Sequence, residues 1–310
     1  MKEFIIDSNQ ANKRLDKYLR MLLPKANDSF IYKMLRKKNI KLNDSKALGS
    51  EKLQIGDKVK IYFTDDTFSQ FAGDTESKFD EYTKAYEAYR NIKIVYEDND
   101  IAVINKPSNL LSQKAKDDDI SLNEWFVGYL IDSGFINLEE LKSFRPSIVN
   151  RLDRNTSGLV IGAKTLKAEQ VISQMIKDRT IRKFYSAQVI GQVKASGTYK
   201  GYLIKDEKTN KVKVYDNKPS SESAYIETSY EVKSINEETS VLEIELITGK
   251  PHQIRAHLAY LNHPIVGDNK YGNEQFNRKY KAKSQRLTAV RLEFPDECEI
   301  ESLKGRIISL

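Results

Sequence analysis

The sequence predicts an α+β protein: a large domain on a largely antiparallel mixed sheet with flanking helices and loops, preceded by a small helical module. Two observations support this class. Strand-like segments outnumber helix-like ones after Ile92 and do not alternate strictly with them, which argues against a doubly wound parallel sheet. The first 64 residues begin instead with helical periodicity. Hydrophobic residues make up 39% of the 310, which is enough for a substantial core.

Composition and charge exclude several classes of protein. The chain has 51 Lys+Arg against 44 Asp+Glu and a mean hydropathy of −0.59, and it lacks the ~18 to 20 consecutive apolar residues that span a bilayer. Its first residues do not form a signal-peptide pattern, so we expect a cytoplasmic protein without membrane contact. Cys298 is the only cysteine, and the three histidines lack zinc-ligand spacing. We therefore predict no disulfide and no metal.

Residues 1–64 predict two short helices followed by two short strands. Apolar residues recur at helical spacing from Leu15 to Leu22, and Pro24 ends that helix. Asp28 and Ser29 begin a second helix. Its apolar side, predicted to face inward, consists of Phe30, Ile31, Met34 and Leu35. The alternating segments 39–44 and 58–63 predict strands joined through a glycine-containing turn.

The positive charge of the chain is concentrated in this region. Residues 1–70 contain 15 Lys+Arg and 9 Asp+Glu, a balance of +6 out of the formal +7 of the whole chain. A basic module beside a weakly charged domain indicates attachment to a polyanion, although a merely soluble basic domain is the alternative. The residues predicted to meet phosphates are Arg14, Lys33, Arg36, Lys37 and Lys38.

Residues 65–90 predict an acidic, aromatic-containing linker. The segment has few aliphatic residues and no strand pattern, with a possible helix near residues 80–90. We expect its aromatic residues to anchor it to a neighbouring domain, with stacking on nucleic-acid bases, if the polyanion is a nucleic acid, as the alternative.

Residues 91–310 contain one polar loop between two apolar runs, NRLDRNTSG at 150–158. It places Asp153 between Arg151 and Arg154, whose positive charges would keep the carboxylate ionised and would suit a sugar-phosphate ligand. A surface salt-bridge cluster in a tight turn, with Gly158 supplying backbone freedom, is the alternative. The sequence contains neither the dinucleotide-binding motif GxGxxG after a strand nor the P-loop motif GxxxxGK[ST], so no nucleotide cofactor is predicted.

Three segments resemble the ordered motifs of RluA-type pseudouridine synthases: RLDRNTSGL at 151–159, RKFY at 182–185 and TGKPHQIRAHLAYLNHPIVGDNKYG at 248–272. INKPSNLL at 104–111 resembles the opening strand and turn of that family. The resemblance covers residues 92–310. RLDKYL at 14–19, the basic second helix and LQIGDKVKIYF at 53–63 resemble the S4 RNA-binding module, an αL-type fold. Residues 1–64 are therefore interpreted as an S4-like module, and residues 91–310 as the catalytic domain.

The resemblance implies an RNA isomerase that needs no cofactor. It assigns Asp153 as the catalytic aspartate, Tyr185 as the aromatic residue against the target base and Arg255 as the partner of the aspartate. The uridine must be flipped out of its stack, and Arg151 would help to fill the vacated space. Further predicted substrate contacts are Arg154, Lys183, His252 and Gln253. The expected partner is RNA, with ribosomal RNA favoured and transfer RNA the alternative, and we expect a monomer.

Five positions depart from the family pattern, namely Asn109, Asn150, Asn155, Lys250 and Pro251. They affect the expected substrate more than the expected reaction. Two alternatives to a synthase stay open: a catalytically silent RNA-binding or ribosome-assembly protein on the same scaffold, and a hydrolase acting on a nucleotide or glycoside. The hydrolase alternative is the weaker one, because the sequence indicates no second carboxylate beside Asp153, and glycoside hydrolysis usually requires two.

Overall fold

The computed structural model describes residues 1–7, 10–72, 75–141, 144–206, 209 and 211–310, which form two compact units. The first unit comprises Met1–Arg90, Glu124–Ser147 and Ala163–Glu169, and the second Asn91–Asn123, Ile148–Gly162 and Gln170–Leu310. Among the described residues, none of the helices has the length and apolar character needed to cross a bilayer.

The first unit begins with two helices packed on a small antiparallel sheet. Its elements in chain order are β1 (Lys2–Ile5), α1 (Leu15–Leu22), α2 (Asp28–Arg36), β2 (Ile40–Leu42), β3 (Ser45–Lys46), β4 (Lys58–Ile61), α3 (Asp65–Phe71) and α4 (Thr75–Ala88). Both predicted helices are confirmed, and Leu15, Leu19, Ile31 and Leu35 are in the core between them and the sheet. The Asn27 side chain caps α2 by accepting a hydrogen bond from the backbone N–H of Phe30 at 2.9 Å.

The small sheet has more strands than the alternating segments predict. Its order is β1-β4-β2-β3, so β4 lies between β1 and β2. Asn43 and Asp44 both have positive φ, at 49° and 61°, and form the two-residue turn of a hairpin in which Leu42 pairs with Ser45. The predicted strand pair therefore exists as β2 and β4. The sheet has two further strands, β1 at the start of the chain and the short β3 after β2.

Helices α3 and α4 occupy the segment predicted as a linker, and aromatic residues hold both. Phe71 of α3 stacks on Phe30 with ring centroids 4.1 Å apart. Helix α4 packs on α5 (Leu122–Asp132), where Tyr86 meets Trp125 at 5.9 Å between centroids. The two helices approach so closely that a Cβ on Gly128 would lie 2.2 Å from the carbonyl oxygen of Tyr82. These aromatic contacts hold α3 and α4 within the first unit. Anchoring of the segment to a neighbouring domain stays a prediction.

The second unit is built on a large mixed sheet, and the fold class is confirmed. The strands are β5 (Lys93–Glu97), β6 (Ile101–Lys106), β7 (Ser147–Ile148), β8 (Ser157–Ala163), β9 (Arg182–Ile190), β10 (Gly197–Asp206), β11 (Lys211–Tyr215), β12 (Ala224–Ile235), β13 (Thr239–Leu246), β14 (Leu287–Glu293) and β15 (Ile307–Ser309). Their order is β11-β10-β12-β13-β9-β14-β8-β6-β5, with β15 on β14 and β7 on β8. Most pairs are antiparallel, whereas β8 and β14 run parallel.

Four further helices and one 3₁₀ turn complete the two units. They are α6 (Leu138–Leu141), α7 (Leu166–Asp178), α8 (Gln253–Tyr260), α9 (Glu274–Lys279) and the 3₁₀ turn Glu301–Leu303. Helix α8 packs against β11 and β12, where Ala256 joins a core formed by Leu203, Val212 and Ile226. This packing brings the start of α8 to the sheet that contains β9, the strand that begins with the RKFY segment.

Gly158 provides a test of how closely β8 and β14 approach. Its φ is +109°, and a Cβ there would lie 2.1 Å from the carbonyl oxygen of Ala289. We expect Gly158→Ala to lower the free energy of unfolding by about 3 kcal/mol, because both backbone strain and overpacking oppose the methyl group. Gly134→Ala is the matched control: Gly134 has φ +70° and no atom within 4 Å of an added Cβ. Equal losses in urea unfolding would contradict the steric argument.

Candidate active site

The loop between β7 and β8 carries Asp153. The INKPSNLL segment, residues 104–111, fixes this loop through hydrogen bonds. Lys106 at the end of β6 is fully buried, and its Nζ donates hydrogen bonds to the carbonyl oxygens of Leu110 at 2.8 Å, Pro107 at 3.0 Å and Arg154 at 3.1 Å. One buried ammonium group thus joins the 104–111 segment to the residue that follows Asp153.

Two serines strengthen the same junction. Ser112 Oγ donates to the carbonyl of Leu152 at 2.7 Å and accepts from its N–H at 3.0 Å. Ser108 Oγ donates to the carbonyl of Asn155 at 2.9 Å. The backbone on both sides of Asp153 is therefore fixed, which positions its carboxylate without binding its oxygens.

Arg255 links Asp153 to a second aspartate. From the first turn of α8, its Nη1 donates to Asp153 Oδ2 at 2.7 Å, while Nε and Nη2 donate to the two oxygens of Asp268 at 2.7 and 2.9 Å. The Asp268 side chain is completely inaccessible, whereas that of Asp153 is 28% exposed. Asp268 thus holds the guanidinium in a bidentate pair and leaves one edge for Asp153.

Mutual pairing maintains the charges of Asp268 and Arg255. Burial alone would raise the pKa of Asp268, but the hydrogen bonds and positive charge of Arg255 and two backbone N–H groups keep that pKa below its usual value. Burial likewise opposes the charge on Arg255, and the two carboxylates raise its pKa above the ordinary value. Arg255 therefore stays cationic although its side chain is only 9% exposed.

Tyr185 lies in the middle of the sheet, next to Asp153. It pairs with Ile244 of β13 and Ala289 of β14, and it is 6% exposed. Burial, together with the negative charge of Asp153, raises the pKa of its hydroxyl, so Tyr185 is a neutral phenol at physiological pH. Its ring offers an apolar surface to a planar ligand.

Asp153, Tyr185 and Arg255 all line one open cavity of about 710 Å³. The apolar part of the wall includes Leu246, Ile254 and Leu287. Among the described residues that line the cavity, the charged side chains are basic apart from that of Asp153. The size and lining of the cavity suit a nucleotide, which has a planar base and a negatively charged phosphate. Other residues that line it are Arg151, Arg154, Lys183, Lys250, His252 and Gln253.

The predicted substrate contacts differ in how free their side chains are. Arg151 and Arg154 are exposed, whereas the half-buried Lys183 has no hydrogen-bond partner within the described part of the chain. Burial, and to a lesser extent Arg179, lowers the pKa of Lys183. Gln253 is 2% exposed, and its amide bonds only protein groups, including Thr248 Oγ1 at 2.8 Å. It shapes the cavity wall, and a direct substrate contact stays a prediction.

The predicted phosphate contacts of the first unit lie on α2 and the turn after it. Lys33, Arg36, Lys37 and Lys38 are all exposed, and over the residues that the structure describes none of them has an ion-pair partner. Arg14 is also exposed but pairs with the buried Asp16 at 3.0 Å. Four of the five cations are thus available to a polyanion.

Two residues of the site were not among the predicted ones. Lys106 stands at the end of an apolar run, and a cation there is a signal for a buried, fully bonded ammonium. Asp268 lies within the GDNKYG stretch of a motif, but nothing in its spacing indicates that it would reach Arg255, 13 positions earlier.

Lys106 makes the stability of the fold pH-dependent. Burial lowers its pKa from 10.5 to about 8, against the opposing charge of Asp153. Between these values the unfolded chain binds more protons than the folded one, so rising pH stabilises the folded state. We expect wild type to gain stability relative to Lys106→Met as the pH rises from about 8 to about 10. Urea unfolding of both proteins measures this, and a pH-independent difference would contradict it.

Comparison with known proteins identifies the family. A family model described as RNA pseudouridylate synthase matches residues 100–260, which is more than half of the chain and includes Asp153, Tyr185 and Arg255. The chain belongs to the RNA pseudouridylate synthase family. It is therefore an isomerase that acts on RNA, and the resemblance of residues 92–310 to this family is confirmed.

Relatives of the synthase align along nearly the whole chain. An uncharacterized RNA pseudouridine synthase of Mycoplasma genitalium is 33% identical over 99% of this chain and 92% of its own length. The ribosomal large subunit pseudouridine synthase C of Vibrio parahaemolyticus is 31% identical over 88% of this chain and 80% of its own length. The structure of human RNA pseudouridylate synthase domain containing 4 shares the fold, with a TM-score of 0.59 at 20% identity over 75% of this chain and 92% of that one.

Proposed function

We propose that this synthase converts specific uridines of large-subunit ribosomal RNA to pseudouridine, with Asp153 as the catalytic carboxylate. The observation that carries the proposal is the pairing of Asp153 with Arg255 at 2.7 Å, inside a cavity that also presents Tyr185. The relative from Vibrio parahaemolyticus, named as a large-subunit synthase, supports ribosomal RNA as the substrate. Transfer RNA is the alternative substrate.

The reaction breaks the N1–C1′ bond, turns the uracil and forms a C5–C1′ bond, after which the C5 proton is lost and N1 gains one. Both proposed roles of Asp153, attack on the nucleotide and proton transfer, require an ionised carboxylate at a fixed position. Arg255 supplies the fixed positive partner. Tyr185 packs against the detached base, and its neutral hydroxyl is available for a hydrogen bond or a proton. No cofactor is required because the reaction is an isomerisation.

The target nucleotide must leave its stack to reach the cavity. We propose that Arg151, exposed at the rim, helps to fill the vacated space, and that Arg154 and Lys183 bind the phosphates on either side. Lys183 is suited to this role because it lines the cavity without a protein partner in the described regions. The departures Asn150 and Lys250-Pro251 lie at the same cavity and would influence which RNA is accepted.

Tritium release tests the activity without knowledge of the target. Total RNA labelled with 5-tritiated uracil in cells that lack the gene contains the unmodified target, whichever RNA it belongs to. We expect the protein to release tritium from this RNA, because C5 loses its hydrogen. Release of free uracil would indicate a hydrolase, and no release would indicate a silent RNA-binding protein. Mapping pseudouridines in the same RNA before and after treatment distinguishes ribosomal from transfer RNA.

We further propose that residues 1–64 form an S4-like module that captures RNA, that residues 65–90 connect it, and that residues 91–310 form the catalytic domain. The exposed cations of α2 and its following turn support the module's role. Deleting residues 1–64 should weaken RNA binding and leave slow activity on small RNA fragments.

Charge removal gives a milder test of the same module. Changing Lys33, Arg36, Lys37 and Lys38 together to glutamine should reduce the slope of log affinity against log salt by about 3, because each phosphate contact contributes roughly 0.7 to 0.9. The matched control changes four exposed lysines that lie outside residues 1–64 and do not line the cavity, Lys194, Lys213, Lys218 and Lys283. An equal change of slope in both proteins would contradict the assignment. Filter binding at several salt concentrations measures it.

A further inference from the structure

His252 occupies an unusual position at the start of α8. It is the residue before the helix, has φ 56°, and lines the same cavity as Asp153. Its Nδ1 lies 2.9 Å from the hydroxyl oxygen of Tyr271, and that oxygen accepts the backbone N–H of Val212 at 2.9 Å. The ring thus meets the protein through Nδ1. Over the described residues, its Nε2 has no hydrogen-bond partner.

The hydrogen bonds of Tyr271 determine which ring nitrogen of His252 carries the proton. A phenol has one hydrogen to donate, and among the described residues His252 Nδ1 is the acceptor within reach of this one. If Tyr271 donates, Nδ1 accepts, and the single proton of a neutral imidazole must be on Nε2. Burial, reinforced by Arg255 and Lys270, lowers the pKa of His252 despite the opposing charges of Asp153 and Asp268, so the neutral form prevails at pH 7.

We infer that His252 presents a fixed Nε2–H donor to an oxygen acceptor of the bound nucleotide, and that Tyr271 is the positioning residue that selects this tautomer. The inference rests on the proposed function and adds what the cavity recognises. The acceptor is a uracil carbonyl or a phosphate oxygen, because both present lone pairs and neither requires a charged donor. The cationic groups on the same wall then attract the negatively charged RNA, while the Nε2–H group of His252 orients the acceptor oxygen.

Two substitutions separate a substrate donor from a structural residue. Asparagine places an amide near the position of Nδ1 and so retains the contact with Tyr271, but it lacks a donor at the position of Nε2. Glutamine reaches the Nε2 position but loses the Tyr271 contact. Asparagine also tolerates a positive φ better than glutamine does, so His252→Asn should be the more stable variant. A purely structural role therefore predicts that His252→Asn is the more active one.

The inference predicts the reverse order of activity. On the labelled total RNA, His252→Gln should retain kcat/KM within about threefold, whereas His252→Asn should lose roughly tenfold, the value of one hydrogen bond to substrate. Asparagine as active as glutamine, or more so, would overturn the inference. If wild type itself releases no tritium, the proposed function fails instead, so the two failures are distinguishable.

The tautomer can be measured without RNA. With histidine labelled by ¹⁵N, the resonances of His252 are assigned by their loss in His252→Gln, and we expect the Nε2–H form at pH 7. In Tyr271→Phe, this preference should be lost because the phenol proton is gone. A dominant Nδ1–H form or an imidazolium in wild type would overturn the inference even if both activity variants fold poorly.

The source of the acceptor follows from titration of the labelled protein. Uridine, uridine 5′-monophosphate and inorganic phosphate are added separately at millimolar concentration. A shift of the Nε2 signal with uridine identifies a base carbonyl, and a shift with the monophosphate and phosphate alone identifies a phosphate oxygen. A response to none of these, together with unchanged kcat/KM in His252→Asn, would overturn the donor role.

Discussion

Asp153→Asn should reduce tritium release from labelled RNA by at least about a thousandfold. An amide can neither attack the nucleotide nor accept a proton, and loss of a nucleophile or base typically costs an enzyme this much or more. The amide oxygen can still accept the hydrogen bond from Arg255 Nη1, and the Asp153 side chain is partly exposed. We therefore expect the thermal unfolding midpoint to remain close to that of wild type, so the loss would report chemistry and not folding.

The matched control is Asp118→Asn. Asp118 is exposed and lies outside the residues that line the cavity. This variant should release tritium at the wild-type rate. If Asp153→Asn keeps more than about a tenth of the wild-type activity, Asp153 is not the catalytic carboxylate and the proposed mechanism fails.

Local pattern was sufficient for much of the fold. The apolar spacing of Leu15 and Leu22 corresponds to α1, because a short amphipathic helix buries one face whatever it packs against. Strands such as β12 and β13 are visible as alternation. The helices of residues 65–88 were harder to predict, because their stability comes from aromatic contacts with partners distant in sequence, such as Phe30 and Trp125.

The site shows the same division between local and distant information. The family resemblance predicted roles for Asp153, Tyr185 and Arg255. The structure places all three at one cavity. Pattern alone could not join Asp153 to Arg255, since they are 102 positions apart and meet only through the order of strands in the sheet. Asp268, which bonds Arg255, and Lys106, which bonds the loop of Asp153, are harder still to predict, because an isolated charged residue is usually exposed.

Arg255→Met should destabilise the protein by about 3 to 5 kcal/mol, the cost of leaving a buried charge without its partner. The Asp268 carboxylate is inaccessible to water and, among the residues that the structure describes, would keep only the backbone hydrogen bonds from Lys270 and Tyr271. Tritium release should fall as well, because Asp153 loses Nη1. Urea unfolding and the release assay measure the two effects separately.

Adding Asp268→Asn to Arg255→Met then separates stability from catalysis. The asparagine Oδ1 can still accept both backbone N–H groups that bond Asp268 Oδ1, and it carries no charge to be compensated. The double variant should therefore recover a large part of the lost stability and remain inactive, since Asp153 still lacks its cationic partner. Activity that returned with stability would mean that Arg255 serves only the fold. A single variant Arg255→Met that unfolds within about 1 kcal/mol of wild type would show that Asp268 does not depend on the pair.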